Sequence, residues 1–376
     1  MTENTRRFLP YGKQSISDED VAAVAEVLRS DFLTTGPMVP KFEAAFAEAT
    51  QAKHAIAVSS GTAALHLAAL AAGLGPGKTA IVPAITFMAT ANAALYTGAS
   101  VTFADVDPET GLLTAHTLRE ALGRAGGAAA ILPVHYAGRC VDMAQVMSAA
   151  KAYGARVIED ACHAVGGIQA NGRPVGAGPG HMAIFSLHPV KTIAAGEGGV
   201  ITTRDDDLAQ KLRVLRNHGM DRESALRPEL ATAPDGSRNP WYHEMVALGF
   251  NYRLSDIHAG LALSQLSRLK TFVSRRRALV DRYREKLAPL APIVLPPTPV
   301  PDGVPAWHLC AARINFDAAG RSRASVMHAL RDLGVGTQVH YIPVHMQPFY
   351  LQNQGSLSLP GAETFYARTL SLPLFP

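Results

Sequence analysis

Cysteine is scarce in this sequence of 376 residues, which contains only three cysteines and no CxxC pair. Cys140, Cys162 and Cys310 are odd in number and far apart in the chain, which argues against a disulfide framework and against a structural zinc site. We therefore predict three buried free thiols and no metal centre.

Long hydrophobic runs are missing as well. No stretch of about 18 or more apolar residues occurs, as a membrane-spanning helix would need. The opening residues, MTENTRRFLPYG, also lack the apolar core of a secretory signal. We therefore expect a cytoplasmic protein with no membrane partner.

Charge of either sign is modest, since charged residues make up 18% of the chain and the formal net charge is +4. The basic residues are scattered, and only Arg275, Arg276 and Arg277 form a run, within a polar helical pattern. We expect this run to be a solvated helix face and predict no nucleic-acid partner. A mild positive excess also suits a phosphorylated substrate.

Short apolar runs alternate with alanine-rich helical stretches between about residues 54 and 250. Runs of this kind indicate strands buried on both faces, as in βαβ units around a mostly parallel sheet. Ligands of such sheets bind at the carboxyl ends of the strands. The seven predicted strands are HAIAV, TAIVPA, SVTFADV, AAILPV, ARVIED, MAIFSL and GVITT.

The pattern changes after Asn251, where we predict a long polar helix over about residues 256–288 and then a proline-rich link. The remainder reads as a strand (LCAARINF), a helix (RASVMHALRDLG) and a second strand (VGTQVHYIP). Because the chain is too long for one compact core, we predict a large domain over 1–250 and a smaller α+β domain over 251–376.

The segment GLGPGKT at 73–79 resembles a phosphate-binding P-loop. However, Ala72 stands where the consensus requires glycine, and the predicted order is helix before strand, the reverse of a P-loop. We interpret this segment as a helix C-cap and turn.

A better candidate for anion binding is the loop after the strand HAIAV. Ser60, Gly61 and Thr62 lie there, directly before a predicted helix. Free backbone N–H groups at a helix N-terminus bind phosphate, with help from the helix dipole and from hydroxyls. The alternative is that the hydroxyls serve only as N-caps.

Asp160 ends the strand ARVIED at the predicted ligand edge of the sheet, and His163 follows three residues later. A carboxylate here can pair with a protonated ring nitrogen of a cofactor, and the histidine can bond a phenolic oxygen of the same ring. The alternatives are a helix cap or structural ion pair for the acid and a core histidine for His163.

Lys191 lies in an uncharged loop between two apolar strands, before Gly196, Gly198 and Gly199. Most lysines are solvated, but burial away from charge lowers the pKa of a lysine and frees its amine to attack an aldehyde. The glycines permit close backbone approach or a positive φ.

The order of these features predicts pyridoxal 5'-phosphate (PLP) chemistry. The phosphate loop is followed by Phe87 after a strand, then by Asp160, and then by Ser186 five residues before Lys191. Together they supply a phosphate grip, a ring stack, a partner for the ring nitrogen and a lysine that forms a Schiff base.

The sequence resembles the DegT/DnrJ/EryC1/StrS family of sugar-nucleotide aminotransferases over nearly its whole length. The resemblance implies the PLP-dependent transferase fold of type I, seen in aspartate aminotransferase, with PLP or its amine form (PMP) as cofactor. Members usually continue past a sequence such as SLPLFP into a last helix, so we expect the small domain to lack one packing element. The matching motifs include SSGTAALHLA, PAITFMATANAALYTGA, PVHYAGR, EDACHAVGG, FSLHPVKTIAAGEGG, LRNHGM, GFNYRLSD and QVHYIPVH.

The resemblance also implies roles for individual residues. Lys191 would be the Schiff-base lysine and general acid/base, and Asn251 would reach the phosphate from the other subunit of a homodimer with two shared sites. The implied cofactor contacts are Ser60, Gly61, Thr62, Phe87, Asp160, His163 and Ser186. The implied sugar-nucleotide contacts are Tyr11, Asp31, Phe32, Leu33, Thr34, Arg253, His340 and Tyr341.

Three motifs, HPVKTI, GFNYRLSDI and VHYIPVH, are most similar to the branch that forms UDP-4-amino-4,6-dideoxy-N-acetyl-β-L-altrosamine, a precursor of pseudaminic acid. The implied substrates are L-glutamate and a UDP-linked 4-keto-6-deoxy sugar. GDP-perosamine synthases and other 4-aminotransferases share most of these motifs. A sugar 3-dehydratase and a non-catalytic regulatory protein are further alternatives, and the presence of Lys191 disfavours both.

Overall fold

The computed structural model describes residues 8–298 and 302–376. At its centre lies a seven-stranded sheet with the strand order β1-β7-β6-β5-β4-β2-β3. Strand β7 runs opposite to the other six strands, so the predicted α/β class with a mostly parallel seven-stranded sheet is confirmed. The strands are β1 (His54–Val58), β2 (Thr79–Pro83), β3 (Ser100–Ala104), β4 (Ala130–Ile131), β5 (Arg156–Asp160), β6 (Met182–Ser186) and β7 (Gly199–Thr203).

Helices cover both faces of this sheet, and α3 is apolar on all sides because it packs against the sheet as well as against α4 and α7. The helices are α1 (Asp18–Arg29), α2 (Met38–Thr50), α3 (Gly61–Ala71), α4 (Met88–Tyr96), α5 (Ala115–Ala125), α6 (Met143–Tyr153), α7 (Asp206–Arg216), α8 (Pro228–Ala231), α9 (Asp256–Ser267), α10 (Leu269–Leu287), α11 (Arg323–Asp332), α12 (Pro348–Gln354) and α13 (Pro360–Arg368).

Local sequence sets several helix ends. The side chain of Asp142 accepts a hydrogen bond from the backbone N–H of Gln145 at the start of α6, and Gly154 ends that helix in the left-handed conformation. The segment 73–79 is the turn between α3 and β2, with Gly73 and Gly77 at positive φ. The interpretation of GLGPGKT as a helix end and turn is therefore confirmed.

The remaining strands form two small antiparallel sheets. One is a three-stranded sheet in the C-terminal part of the chain, and the other is a two-stranded ribbon that flanks α8. The strands are β8 (Met220–Asp221), β9 (Glu244–Met245), β10 (Val294–Leu295), β11 (Cys310–Ile314) and β12 (Thr369–Leu372).

The structure corrects two predictions about elements after Asn251. The long helix is two helices, α9 and α10, which meet at Arg268 because its backbone (φ −98°, ψ 5°) leaves the helical region. The segment VGTQVHYIP is not a strand: Val335 and Gln338 make isolated bridges to Leu9 and Ser371, while β12 takes the place beside β11.

The sequence analysis predicted that the arginine run on α10 is a solvated helix face, and the structure shows that this is true of only two of the three arginines. Arg275 and Arg277 are exposed, but Arg276 is 1% exposed and donates hydrogen bonds to the carbonyl oxygens of His308 and Leu374. The helical period places Arg276 on the same buried stripe as Phe272, Val273 and Val280, and its burial lowers the guanidinium pKa to about 10.

The three cysteines are free, as predicted. Cys310 is buried, whereas Cys140 and Cys162 are only half-buried. In the described ranges no helix combines the length and the apolar character needed to cross a membrane.

The proposed boundary between residues 250 and 251 separates the seven-stranded sheet from the three-stranded one. Helix α9, on the C-terminal side of this boundary, packs against α1 and α2. Asp256 at the start of α9 accepts hydrogen bonds from the backbone N–H groups of Gly36, Met38 and Val39. The first helical turns after the boundary are thus attached to the N-terminal region.

Candidate active site

A cavity of about 430 Å³ opens at the carboxyl edge of the central sheet, where ligands of such sheets bind. Residues that follow the ends of β1, β2, β4, β5 and β6 line it, together with residues from the three-stranded part of the chain. The lining residues are Tyr11, Ser60, Gly61, Thr62, Leu65, Thr86, Phe87, Ala89, Thr90, Val134, Asp160, Cys162, His163, Ser186, His188, Val190, Lys191, Glu197, His308, His340 and Tyr341.

Lys191 lies in the loop between β6 and β7, and this loop folds back on its own strand. The backbone N–H of Lys191 donates to the carbonyl of His188 at 2.8 Å, and that of Ala195 donates to the carbonyl of Leu187 at 2.8 Å. Burial lowers the pKa of Lys191, an effect that the nearby Cys162 and Asp160 partly oppose. The loop therefore places in the cavity a lysine amine that loses its proton more readily than a solvated lysine does.

Asp160 ends β5 with its carboxylate held from two sides. The hydroxyl of Thr90 donates to Oδ2 at 2.6 Å, and the backbone N–H of Cys162 donates to Oδ1 at 3.1 Å. Because Thr90 gives its proton to Asp160, the hydroxyl of Thr86, 2.7 Å away, donates to Thr90. Asp160 is 6% exposed, so these donors fix an acid at the cavity wall.

The predicted phosphate loop lies at the N-terminus of the 11-residue helix α3 and lines the same cavity. Ser60 is the N-cap and accepts from the backbone N–H of Ala63 at 3.1 Å, so the alternative role as a cap is realised. The N–H groups of the first helical positions, Gly61 and Thr62, have no intrahelical acceptor available to them and lie at the cavity.

Glycines allow three strands to converge on this helix end. Val58 of β1 and Ser186 of β6 both pair with Gly199 of β7. A Cβ atom at Gly199 would lie 2.3 Å from the carbonyl oxygen of Ser60, and one at Gly61 would lie 3.0 Å from the Cβ of Ser186. Glycine at these two positions therefore brings the Ser186 hydroxyl to the same anion-binding end of the cavity.

Aromatic side chains among the lining residues form one wall of the cavity, the aromatic wall. His163 accepts a hydrogen bond at Nδ1 from the backbone N–H of Ala137, and its Nε2 lies 3.2 Å from the hydroxyl of Tyr341. The Tyr341 ring is 6.0 Å from that of Phe87, and His340 packs 5.2 Å from Tyr11. Phe87 is half exposed at the cavity mouth.

Some candidates lie elsewhere. Arg253 donates to the side chain of Asn217 at 2.6 Å, and Asn251 forms an isolated bridge with Asn217, so neither lines the cavity of its own chain. The segment 31–34 is exposed beside α1, α2 and α9, and Asp31 and Phe32 line a separate depression there. Sugar-nucleotide binding by Asp31, Phe32, Leu33, Thr34 and Arg253 remains a prediction.

The structure adds lining residues that the sequence analysis missed. Thr86, Thr90 and His308 are polar and buried, and Cys162, His188 and Glu197 complete the set. The Thr86–Thr90 pair carries a recognisable signal, because hydroxyls four residues apart after a buried strand lie on one side of the following helix. His308 offers no such signal, since it precedes β11, far along the chain from the central sheet.

A model of the DegT/DnrJ/EryC1/StrS aminotransferase family matches residues 14–376. The chain belongs to this family. The predicted family, the enzyme class and the PLP-dependent transferase fold of type I are thereby confirmed.

Several solved structures are similar to this chain over almost its whole length. PseC from Helicobacter pylori, an aminotransferase involved in the biosynthesis of pseudoaminic acid, is 28% identical with a TM-score of 0.88, over 98% of this chain and 94% of that chain. The aminotransferase TlmJ from Streptoalloteichus hindustanus is 31% identical with a TM-score of 0.86, over 98% and 93%.

A third relative was solved in two cofactor states. The putative sugar aminotransferase Spr1654 from Streptococcus pneumoniae has a PLP form and a PMP form. The PLP form is 25% identical with a TM-score of 0.86, over 98% of this chain and 94% of that chain. The groups in the present cavity fit the same cofactor class, because an acid held by two donors and a helix N-terminus with hydroxyls line it together. Lys191 lines the same cavity.

Proposed function

We propose that this protein transfers the amino group of L-glutamate to C4 of a UDP-linked 4-keto-6-deoxy-N-acetyl hexose, giving UDP-4-amino-4,6-dideoxy-N-acetyl-β-L-altrosamine. The observation that carries the proposal is the joint placement of Lys191, Asp160 and the N-terminus of α3 around one cavity. The choice of sugar is supported by the similarity to PseC over nearly the full length of both chains.

The resemblance and the places of these residues around one cavity support an assignment of the residues that would hold PLP. Ser60, Gly61, Thr62 and Ser186 would bind its phosphate, Asp160 would pair with its ring nitrogen, and Lys191 would carry it covalently. When bound, PLP supplies a conjugated ring that stabilises negative charge at the carbon next to the amine and alternately takes up and gives off the amino group.

Lys191 has the second role of moving a proton. Its lowered pKa leaves a larger share of neutral amine at a given pH than a solvated lysine would have, which suits a group that acts as a base and then as an acid. Thr90 and Cys162 hold Asp160 in place, so the carboxylate can keep a ring nitrogen protonated without rearrangement. Ping-pong kinetics are the expected signature.

We also propose that the active unit is a homodimer in the cytoplasm, with Asn251 of each subunit contributing to the phosphate site of its partner. Within one chain Asn251 is exposed and lies outside the cavity. A contact of Asn251 with a phosphate site would therefore come from a second subunit.

Mass spectrometry of the product tests the proposed substrate. The protein is given PLP, L-glutamate and the UDP-linked 2-acetamido-2,6-dideoxy-β-L-arabino-4-hexulose, with GDP-4-keto-6-deoxymannose as the control substrate. Amination of the UDP sugar alone is expected. Amination of the GDP sugar alone would instead identify a perosamine synthase, and elimination of a hydroxyl would identify a dehydratase.

Exposure of the PLP-loaded protein to L-glutamate separates the enzyme from a regulatory relative. An aminotransferase converts the bound cofactor to its amine form, so the visible absorbance is expected to fall. An unchanged spectrum would support a non-catalytic binding protein.

A further inference from the structure

The tight turn Tyr136–Gly138 connects the aromatic wall of the cavity to the backbone behind it. A segment that precedes β11 holds this turn: the N–H of Ala306 donates to the carbonyl of Gly138 at 3.0 Å, and the N–H of His308 donates to that of Ala137 at 2.9 Å. A Cβ atom at Gly138 would lie 1.9 Å from the carbonyl oxygen of Ala306. The direction of the Ala137 N–H is therefore fixed.

That N–H determines where His163 carries its proton. It donates to Nδ1 of His163 at 3.2 Å, which requires a lone pair on Nδ1 and excludes a proton there. Burial and the nearby Lys191 hold the pKa of His163 well below its usual range, in keeping with a neutral ring. The single proton of the imidazole must then lie on Nε2.

The Nε2–H of His163 in turn determines the direction of the Tyr341 hydroxyl. Nε2 lies 3.2 Å from that hydroxyl, so the histidine donates and the tyrosine oxygen accepts. Burial raises the pKa of Tyr341 well above its usual range, so the phenol keeps its own proton. Because this proton does not bond to His163, the Tyr341 hydroxyl can donate it to an acceptor in the cavity that Tyr341 lines.

The same turn also fixes the backbone next to Tyr341. The hydroxyl of Tyr136 donates to the carbonyl oxygen of His340 at 2.6 Å, and Nδ1 of His340 lies 2.8 Å from the hydroxyl of Ser371 on β12. The turn 136–138 thus holds two groups that position the Tyr341 hydroxyl. These are the backbone next to Tyr341 and the ring of His163.

We propose that Ala137, His163 and Tyr341 form a one-way relay of hydrogen bonds, in which the Tyr341 O–H is the terminal donor to an oxygen atom at the reaction centre. The acceptor is an oxygen without a proton of its own, either the phenolic oxygen of the cofactor or the keto oxygen of the sugar. His163 is a positioning residue in this relay. The identity of the acceptor rests on the proposed function, whereas the direction of the relay does not.

Neutron diffraction on the deuterated full-length holoenzyme tests the direction of the relay. A deuteron is expected on Nε2 of His163 and none on Nδ1, with the Tyr341 deuteron turned away from His163 and towards the cavity. A deuteron on Nδ1, or a Tyr341 deuteron that points at Nε2, would overturn the inference. Because no turnover is measured, this result is independent of the proposed function.

The variant Tyr341→Phe identifies the acceptor. Loss of a donor to the phenolic oxygen should raise the pKa of the lysine-bound chromophore by about 1 unit or more, as measured by the pH dependence of its absorbance. Loss of a donor to the keto oxygen should leave that pKa unchanged and slow the sugar half-reaction, in single turnovers, by about 10-fold or more. If neither quantity changes, the inference is wrong.

Two further variants separate positioning from simple structural support. Tyr350→Phe removes another buried tyrosine hydroxyl, which donates to Asn92 at 2.7 Å away from the cavity, and it should leave both quantities unchanged. His163→Leu should reproduce the effect of Tyr341→Phe, and the double variant should show no further change, because the two side chains act in one relay. Additive effects in the double variant would contradict the relay.

Discussion

Lys191 shares its cavity with aromatic rings that carry no charge. Burial, and to a smaller extent the lysine itself, lowers the pKa of His163 and His308 well below the usual range and that of His340 to about 3. These three histidines therefore do not compete with Lys191 for protons near neutral pH, and among the described lining residues Lys191 is the one amine.

A buried lysine with a lowered pKa destabilises the protein below that pKa. In the pH range between the folded value and the unfolded value of 10.5, the unfolded chain binds more protons, so stability rises with pH. In the cofactor-free protein, Lys191→Met should raise the thermal midpoint at neutral pH, and this gain should shrink as the pH approaches 10.5. Thermal unfolding at several pH values measures both trends.

The exposed Lys151 on α6 provides the matched control, and Lys151→Met should show no comparable gain. A Lys191→Met protein that is less stable than the parent at neutral pH, or a difference that does not vary with pH, would contradict a buried amine with a lowered pKa.

At the residue scale the sequence was informative where a side chain stands next to a strand end. Asp160, Ser186 and Lys191 belong to or follow β5 and β6, and a parallel sheet brings such positions to one edge. His308 reaches the same cavity from the segment before β11, through a long-range contact that no local pattern encodes. The orientation of the Tyr341 hydroxyl was likewise beyond prediction, because it depends on a backbone N–H at Ala137.

Among the elements, the turn 136–138 has no space for added volume at its glycine. Gly138 has a φ of 92° and no space for a Cβ atom, whereas Gly154 at the end of α6 has a φ of 64° and open space around it. Gly138→Ala should cost about 3 kcal/mol or more, because strain and overlap add, and Gly154→Ala only about 1 kcal/mol from the left-handed backbone. Thermal midpoints of the two variants measure the difference.

Equal losses of stability in Gly138→Ala and Gly154→Ala would show that the turn yields to the added methyl group. The contact between the turn and the carbonyl oxygen of Ala306 would then not be rigid. The relay through Ala137 would lose its fixed starting point in that case.

Strands that are buried on both faces were predictable from the sequence. Element ends and strands that depend on contacts with distant parts of the chain were not. All seven central strands follow from short apolar runs, because both faces of the sheet are covered by helices. No glycine or proline marks the end of α9, where the side chains of Gln265 and Arg268 turn to Asp20 on α1. The choice of β12 over residues 335–343 depends on pairing with β11, which a local pattern does not reveal.

At the scale of the whole molecule, the proposed sharing of sites between two subunits can be tested with mixed dimers. Lys191→Ala and Asn251→Ala should each lower turnover by at least about 100-fold as homodimers. When the two proteins exchange subunits at random, half of the dimers are mixed, and each mixed dimer should contain one intact site. Turnover should then recover to about a quarter of the parent value.

Recovery requires that Asn251 serves the site of the partner. If Asn251 acts in its own subunit, both sites of a mixed dimer remain defective and activity does not return. Mixing each variant with itself is the control, and size measurements on the same samples report whether subunits exchange.

The central claim is that Lys191 binds PLP in this cavity. Reduction of the PLP-loaded protein with borohydride fixes a lysine-bound cofactor, and peptide mapping by mass spectrometry then locates it. A single pyridoxyl group on Lys191 is expected. A pyridoxyl group on another lysine, or none on any peptide, would contradict it.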